Sequence, residues 1–107
     1  MERFVERTLL FDFYGELLTK RQQEIYTSVV LEDYSPSEVA QEQQVSRQSI
    51  HDMIRRCDAA LSDYESRLHL VERFIRIKSQ VKEIQNIAED QGIESIGRIC
   101  SEIIGEL

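Results

Sequence analysis

Apolar residues recur every three or four positions along the whole chain, which is the spacing of amphipathic α-helices. A first helix is predicted before residue 19. Its inward positions are Phe4, Val5, Thr8, Leu9, Phe11, Tyr14 and Leu18. A capping box then predicts a second helix, because Thr19 can accept the N–H of Gln22 while the Gln22 side chain returns a bond to Thr19. Its inward positions are Ile25, Tyr26, Val29 and Val30, and it should end near Asp33.

Two more helix starts follow closely. Ser35 suits an N-cap, and Pro36 suits the first helical position because its missing N–H would be unpaired there. The pattern predicts a short helix over 36–42, a turn over 43–45 and a fourth helix capped by Ser46. The inward positions of the fourth helix are Ile50, Met53 or Ile54, Cys57 and Leu61. A short helix, a tight turn and a second capped helix together predict a helix-turn-helix. Its small core should consist of Val39, Ala40, Val45, Ile50 and Ile54.

The C-terminal part contains no Gly or Pro between Leu61 and Gly92. We therefore expect one long helix over 64–90, with at most a bend near 62–63. One apolar stripe consists of Leu61, Tyr64, Leu68, Val71 and Ile75. A second, heptad-like stripe consists of Leu70, Phe74, Ile77, Val81, Ile84 and Ala88. Gly92 suits the end of this helix, and a short last helix should fold back onto it.

This pattern predicts an all-α protein with two parts, a helix-turn-helix bundle over 1–62 and a helical extension over 63–107. The two stripes are too wide for one neighbouring helix. They therefore predict a homodimer through residues 63–107, although internal packing is the alternative. One Pro and four Gly in 107 residues also leave too few turn residues for an all-β fold.

Charge and candidate chemistry exclude several function classes. The net charge is −7, and each third of the chain is mildly acidic, so no basic arm is present. We find no nucleophile with a base, no Gly-rich phosphate loop and no paired carboxylates in an apolar setting, and predict neither catalysis nor a cofactor.

Cys57 and Cys100 lie in register with apolar positions, which predicts buried thiols in place of a disulfide or metal site. The charged N-terminus and short apolar runs predict a cytoplasmic protein without a membrane span.

The fourth helix carries the candidate nucleic-acid site. Arg47, Arg55 and Arg56 oppose only Asp52 in this segment. The exposed face should present Arg47, Gln48, His51, Asp52 and Arg55, among which Arg can read guanine and Gln can read adenine. Ser46 and Ser49, with N–H groups at the helix start, could bind a phosphate. The complete predicted set is Arg47, Gln48, Ser49, His51, Asp52, Arg55 and Arg56.

A second basic run lies within 67–82. It contains Arg67, Arg73, Arg76, Lys78 and Lys82, set against Glu72. It is interpreted either as the polar face of a solvated helix or as an RNA backbone site.

Several short motifs resemble the fourth region of bacterial RNA polymerase sigma factors, which binds the promoter −35 element. They are Leu18-Thr19, Arg21-Gln22, Ser37-Glu38-Val39-Ala40 and Val45-Ser46-Arg47-Gln48-Ser49-Ile50, followed by Ile54 and Arg56. Nearly the whole chain is similar to the YlxM family of small bacterial proteins, most specifically over residues 46–52. The resemblance implies a sigma-like helix-turn-helix with a helical C-terminal part, and a role in the signal recognition particle pathway or its regulation.

Two hypotheses of function therefore remain. The first is a transcriptional regulator that binds duplex DNA through Arg47, Gln48, His51 and Arg55. The second is an interaction protein that docks on the signal recognition particle, its GTPase or its RNA, with the helix-turn-helix as a scaffold. Acidity favours the second hypothesis, since an acidic chain repels bare DNA but can meet a basic protein surface. The sigma-like motif favours the first.

Overall fold

The computed structural model describes residues 1–107, and every regular element in it is helical. The helices are α1 (Arg3–Tyr14), α2 (Lys20–Tyr26), α3 (Pro36–Gln43), α4 (Arg47–Leu68), α5 (Leu70–Asp90) and α6 (Glu94–Glu106). A 3-10 turn over Gly15–Leu17 follows α1, and a π-helical turn over Thr27–Leu31 extends α2. The predicted all-α class is confirmed. No helix is both long and apolar enough to cross a bilayer.

The chain forms two compact units, Met1–His69 and Leu70–Leu107. In the first unit the predicted helix starts are confirmed by their cap hydrogen bonds. Thr19 Oγ1 accepts the Gln22 N–H at 3.1 Å, and Gln22 Oε1 accepts the Thr19 N–H at 2.9 Å. Ser35 caps α3 with Pro36 at its first position. Because these bonds join residues three apart, sequence alone locates them.

The core of the first unit contains apolar residues from all four of its helices. Its buried members are Leu10, Tyr14, Leu18, Ile25, Tyr26, Val30, Val39, Ala40, Ile50, Ile54, Cys57 and Leu61. The inward stripe of α4 follows the prediction. Of the two alternatives, Met53 and Ile54, it is Ile54 that is buried.

The predicted inner face of α1 is wrong in its first turns. Phe4 and Val5 are exposed, whereas Leu10 and Tyr14 are buried. The face of α1 that meets α4 also carries Arg7, whose Nη2 donates to Asp58 Oδ2 at 2.5 Å. The hydrophobic pattern does not predict that Arg7 faces inward, because charged residues are normally exposed. The carboxylate that neutralises Arg7 lies on α4, far away in the sequence.

The predicted single helix over 64–90 is also wrong. Helix α4 runs through residues 62–63 without a bend and ends at Leu68, and α5 begins at Leu70. Between them, His69 has a left-handed backbone with φ 57°. The expected boundary at 62/63 thus lies inside α4, and the two units divide at His69 and Leu70. No Gly or Pro marks this break, so sequence reasoning missed it.

The second unit is a hairpin of α5 and α6, so the predicted return of the last helix is confirmed. Gly92 has φ +69°, and the Ile93 N–H donates to the Ala88 carbonyl at 2.8 Å. The Gly92 N–H donates to the Glu89 carbonyl at 3.2 Å, which completes a Schellman cap. Of the heptad-like stripe, Val81 and Ala88 are buried. Leu70, Ile77 and Ile84 are exposed.

Candidate nucleic-acid interface

The predicted helix-turn-helix is formed by α3, a turn over 44–46 and the beginning of α4. Its core matches the prediction. Val39, Ala40, Ile50 and Ile54 are buried, and Val45 is half-buried. The small Ala40 side chain suits a place where two helices pack against each other, and α3 and α4 are in direct contact.

The turn is held by backbone hydrogen bonds. The Val45 N–H donates to the Ala40 carbonyl at 3.0 Å, and the Gln44 N–H donates to the Gln41 carbonyl at 3.3 Å. This is a Schellman cap, with Gln44 in the left-handed conformation at φ 58°. Ser46 then caps α4 by accepting the Ser49 N–H at 3.0 Å. These bonds fix where α4 begins and which side chains its first turns expose.

Six of the seven predicted site residues form two adjacent rows on α4. Residues four apart on a helix lie on one side of it. One row consists of Arg47, His51 and Arg55, and the other consists of Gln48, Asp52 and Arg56. His51 and Asp52 are half-buried, and the other four are exposed. The arrangement places two arginines on one row and an arginine with an amide on the other, which suits contacts to base edges and phosphates.

Asp52 binds two of the predicted base-reading side chains. Its Oδ1 accepts from Gln48 Nε2 at 3.1 Å and also from Arg55 Nη2. One carboxylate therefore orients Gln48 and Arg55 and lowers the positive charge at the centre of the face. Arg47 and Arg56 have no ion-pair partner in the structure, so their charge is available to a ligand.

Ser49, the seventh predicted residue, belongs to the helix cap. Its N–H donates to Ser46 Oγ, and its hydroxyl lies 2.8 Å from the same oxygen. The Ser49 N–H is therefore not available to a phosphate, because the capping serine already accepts it. A phosphate at this helix start would instead meet the N–H groups of Arg47 and Gln48.

Sequence reasoning missed two arginines on α1 that lie beside this face. Arg3 and Arg7 line an open cleft together with His51 and Arg55. Arg3 Nη2 lies 3.8 Å from Asp58 Oδ2, the oxygen that Arg7 contacts at 2.5 Å. Their spacing of four residues puts both on one side of α1. This spacing is the only sequence signal that could have predicted that the two arginines act together.

The second basic run is divided between the two units. In the first unit, Arg67 Nε lies 3.1 Å from Asp63 Oδ2, one turn away on α4. In the second unit, Lys78 Nζ lies 5.5 Å from the centre of the Phe74 ring, a cation–π contact. These two cations therefore have partners within the chain.

Comparison with known proteins shows one family. Residues 1–99 match the model of UPF0122, described as "Putative helix-turn-helix protein, YlxM / p13 like". A UPF0122 protein of Symbiobacterium thermophilum is 48% identical over 84 residues, covering 76% of this chain and 78% of the relative. One from Shouchella clausii is 38% identical over 104 residues, covering 96% of this chain and 95% of the relative. A third, from Thermoanaerobacter sp. strain X514, is 37% identical over 108 residues, covering 97% and 92%.

Proposed function

The chain belongs to the UPF0122 family, and from that premise we propose that it is a regulatory protein that binds duplex DNA with the exposed face at the beginning of α4. One observation carries the proposal. Directly after the helix-turn-helix turn, a capped helix presents Arg47, Gln48, His51, Arg55 and Arg56 on two adjacent rows. In proteins of this architecture the second helix enters the major groove with its N-terminal residues toward the bases.

Each side chain on this face has a role that its chemistry allows. Arg47 and Arg55 can donate two hydrogen bonds to guanine, and Gln48 can pair with adenine. Asp52 can accept from the amino group of cytosine once Gln48 and Arg55 turn to the DNA. Arg56, at the far end of its row, suits a backbone phosphate.

The acidity of the chain affects which DNA contacts matter. A net charge of −7 opposes the approach of any nucleic acid and weakens binding that depends on phosphates alone. Discrimination between sequences would then depend on base contacts. We therefore expect weak binding to arbitrary duplexes and a measurable preference for a selected site.

The test begins with selection of a preferred duplex from a randomised library, followed by affinity measurement by fluorescence anisotropy. Arg47→Ala and Gln48→Ala should each weaken binding to the selected duplex by ~1–3 kcal/mol. Arg67→Ala is the matched control, because Arg67 is an exposed arginine on the same helix with an intrahelical partner. Unchanged affinity in both recognition-face variants would exclude a DNA-reading role.

A second candidate function is docking on the signal recognition particle, in the pathway that the YlxM resemblance implies. The observation that favours it is Asp52, which occupies Gln48 and Arg55 within the chain and places negative charge on the face. The bonded Gln48 and Arg55 are then less available to DNA bases, and the chain as a whole, with a net charge of −7, can meet a basic protein surface. The purified protein should then co-elute with the particle's GTPase or with its RNA at low ionic strength, and salt should weaken the complex. Elution apart from both components contradicts this candidate.

A further inference from the structure

We propose that the open cleft between α1 and α4 in the first unit binds a phosphate group. The cleft has a volume of about 370 Å³, within the range of small-ligand pockets. Its charged and titratable lining residues are Arg3, Arg7, His51, Arg55, Asp33 and Asp58. Three guanidinium groups and two carboxylates line the cleft, and Arg55 also pairs with Asp52. The carboxylates balance most of the positive charge, so the cleft suits one phosphate, bound by hydrogen bonds from the converging arginines.

Arg7 is held in place but retains hydrogen-bonding capacity. Its Nη2 donates to Asp58 Oδ2, while the Tyr26 hydroxyl donates to Asp58 Oδ1 at 2.7 Å. Both oxygens of the carboxylate are therefore occupied. Arg7 Nε is buried without a hydrogen-bond partner, so the donors that a ligand can reach are those of the two Nη atoms. Asp58 fixes the position of Arg7 while using only Nη2.

Arg3 is the more exposed of the two arginines of α1 that line the cleft. Its side chain is 77% exposed, and its ion pair with Asp58 is long at 3.8 Å. It can turn toward a bound anion without giving up a close hydrogen bond. Arginine binds phosphate oxygens through paired donors, which is the geometry that two arginines one turn apart on α1 can supply.

The floor of the cleft strengthens these charges. Val30 and Ile54 are buried there, so the guanidinium groups act beside apolar side chains of low polarisability. Asp33 also lines the cleft, and its carboxylate repels an anion. This repulsion favours a singly charged phosphodiester over a polyphosphate.

The phosphate could belong to the backbone of a nucleic acid or to a free phosphorylated molecule. His51 and Arg55 belong both to the cleft and to the proposed DNA-reading face, so a backbone phosphate beside that face could reach Arg3 and Arg7. This nucleic-acid source rests on the proposed function. The free-phosphate source does not.

The experiment uses the full chain, with isotope labelling, and two probes. One is inorganic phosphate at low ionic strength, and the other is the selected duplex together with a scrambled duplex of equal length. Side-chain resonances of His51, Arg3 and Arg7 report occupation of the cleft. The test variant is Arg3→Ala, which should fold normally because Arg3 is exposed. The control is Arg21→Ala, an exposed arginine of α2 that does not line the cleft.

For a backbone phosphate, Arg3→Ala should weaken binding of both duplexes by a similar factor of about three to five. It should also reduce the slope of log affinity against log salt by about one. Arg21→Ala should leave the slope unchanged. Base-reading variants would behave differently, because they lose the preference for the selected duplex.

Shifts with inorganic phosphate that are lost in Arg3→Ala, together with no duplex binding, would support a free phosphorylated ligand while excluding the proposed function. If neither probe shifts the cleft resonances, the phosphate site is refuted, whatever Arg47→Ala does to DNA affinity. An unchanged salt slope in Arg3→Ala, with duplex binding intact and no phosphate shifts, would refute it as well.

Discussion

Asp58 joins three elements of the first unit through one carboxylate. Arg7 of α1 and Tyr26 of α2 both bind this residue of α4, at 2.5 and 2.7 Å. The ion pair is partly buried, with about a quarter of each side chain exposed. Removing the carboxylate charge of Asp58 would leave the Arg7 cation without a counter-ion, which is costly in a partly buried position.

Asp58→Asn should therefore lower the free energy of unfolding by ~1–3 kcal/mol, because Arg7 loses its counter-ion while the shape of the site is kept. Urea denaturation followed by circular dichroism measures this change. Asp63→Asn is the control, since the Asp63–Arg67 pair is more than half exposed and should contribute under ~1 kcal/mol. Equal losses of unfolding free energy in the two variants would show that the partly buried Asp58 network stabilises the fold no more than an exposed ion pair does.

Two buried groups near Asp58 make stability depend on alkaline pH. Burial, with the hydrogen bond and charge of Asp58, raises the pKa of Tyr26 well above its ordinary value of 10. Burial, with the nearby charge of Asp58, raises the pKa of the Cys57 thiol from 9.0 to about 11. Both groups release their protons more readily in the unfolded chain. Their contribution to stability is complete below about pH 9 and is lost as the pH rises.

We expect the free energy of unfolding to fall steadily between about pH 9 and pH 11. Tyr26→Phe should remove part of this slope, because the variant has no phenol to ionise. Tyr34→Phe is the control, since Tyr34 is 52% exposed and should leave the slope unchanged. Urea denaturation at a series of pH values measures the slopes, and a profile flat to pH 11 contradicts the expectation.

At the scale of elements, two helices end in the same Schellman geometry with different residues at the left-handed position. The left-handed residue after α5 is Gly92, with φ +69°, and the one after α3 is Gln44, with φ 58°. A residue with a Cβ is strained in this conformation by roughly 1–2 kcal/mol relative to glycine. The helix-turn-helix turn therefore contains a strain that the α5–α6 turn avoids.

Gln44→Gly should stabilise the first unit by up to about 1 kcal/mol, since relief of strain exceeds the added chain entropy of glycine. The reverse change, Gly92→Gln, should destabilise the second unit by a similar amount. No atom lies within 4 Å of a Cβ built at Gly92, so the backbone alone decides the result. Hydrogen exchange resolves the two units separately. A loss of protection in Gln44→Gly would mean that the Gln44 side chain stabilises the turn.

The sequence predicts those elements whose signals are local. Helix starts at Thr19, Ser35 and Ser46 depend on bonds between residues three apart, and all three are confirmed. The break at His69 was missed because no glycine or proline occupies it. The rows on α4 follow from helical periodicity alone. The cleft does not, because Arg7 and Asp58 lie 51 residues apart and only the folded bundle brings them together.

At the scale of the whole molecule, exposed apolar side chains are concentrated in the second unit. Ten of the seventeen large hydrophobic residues that are exposed lie within residues 70–107. They are Leu70, Ile75, Ile77, Ile84, Ile87, Ile93, Ile96, Ile99, Ile103 and Leu107. A helical hairpin shorter than about 40 residues seldom buries enough apolar surface to be stable by itself. This supports the predicted homodimer through the C-terminal part, in which two hairpins pack as four helices.

The exposed positions decide which substitutions test that dimer. Val81 is buried, so a charge there would disrupt the hairpin itself, whereas Ile84 and Ile99 are about half exposed. Ile84→Glu or Ile99→Glu should yield a monomer that retains its helical content, because each places a charge in the apolar contact. Asn86→Glu adds the same charge on the opposite side of α5 and should leave the dimer intact. Sedimentation velocity measures the outcome. A wild-type chain that sediments as a monomer at micromolar concentration would refute the interface.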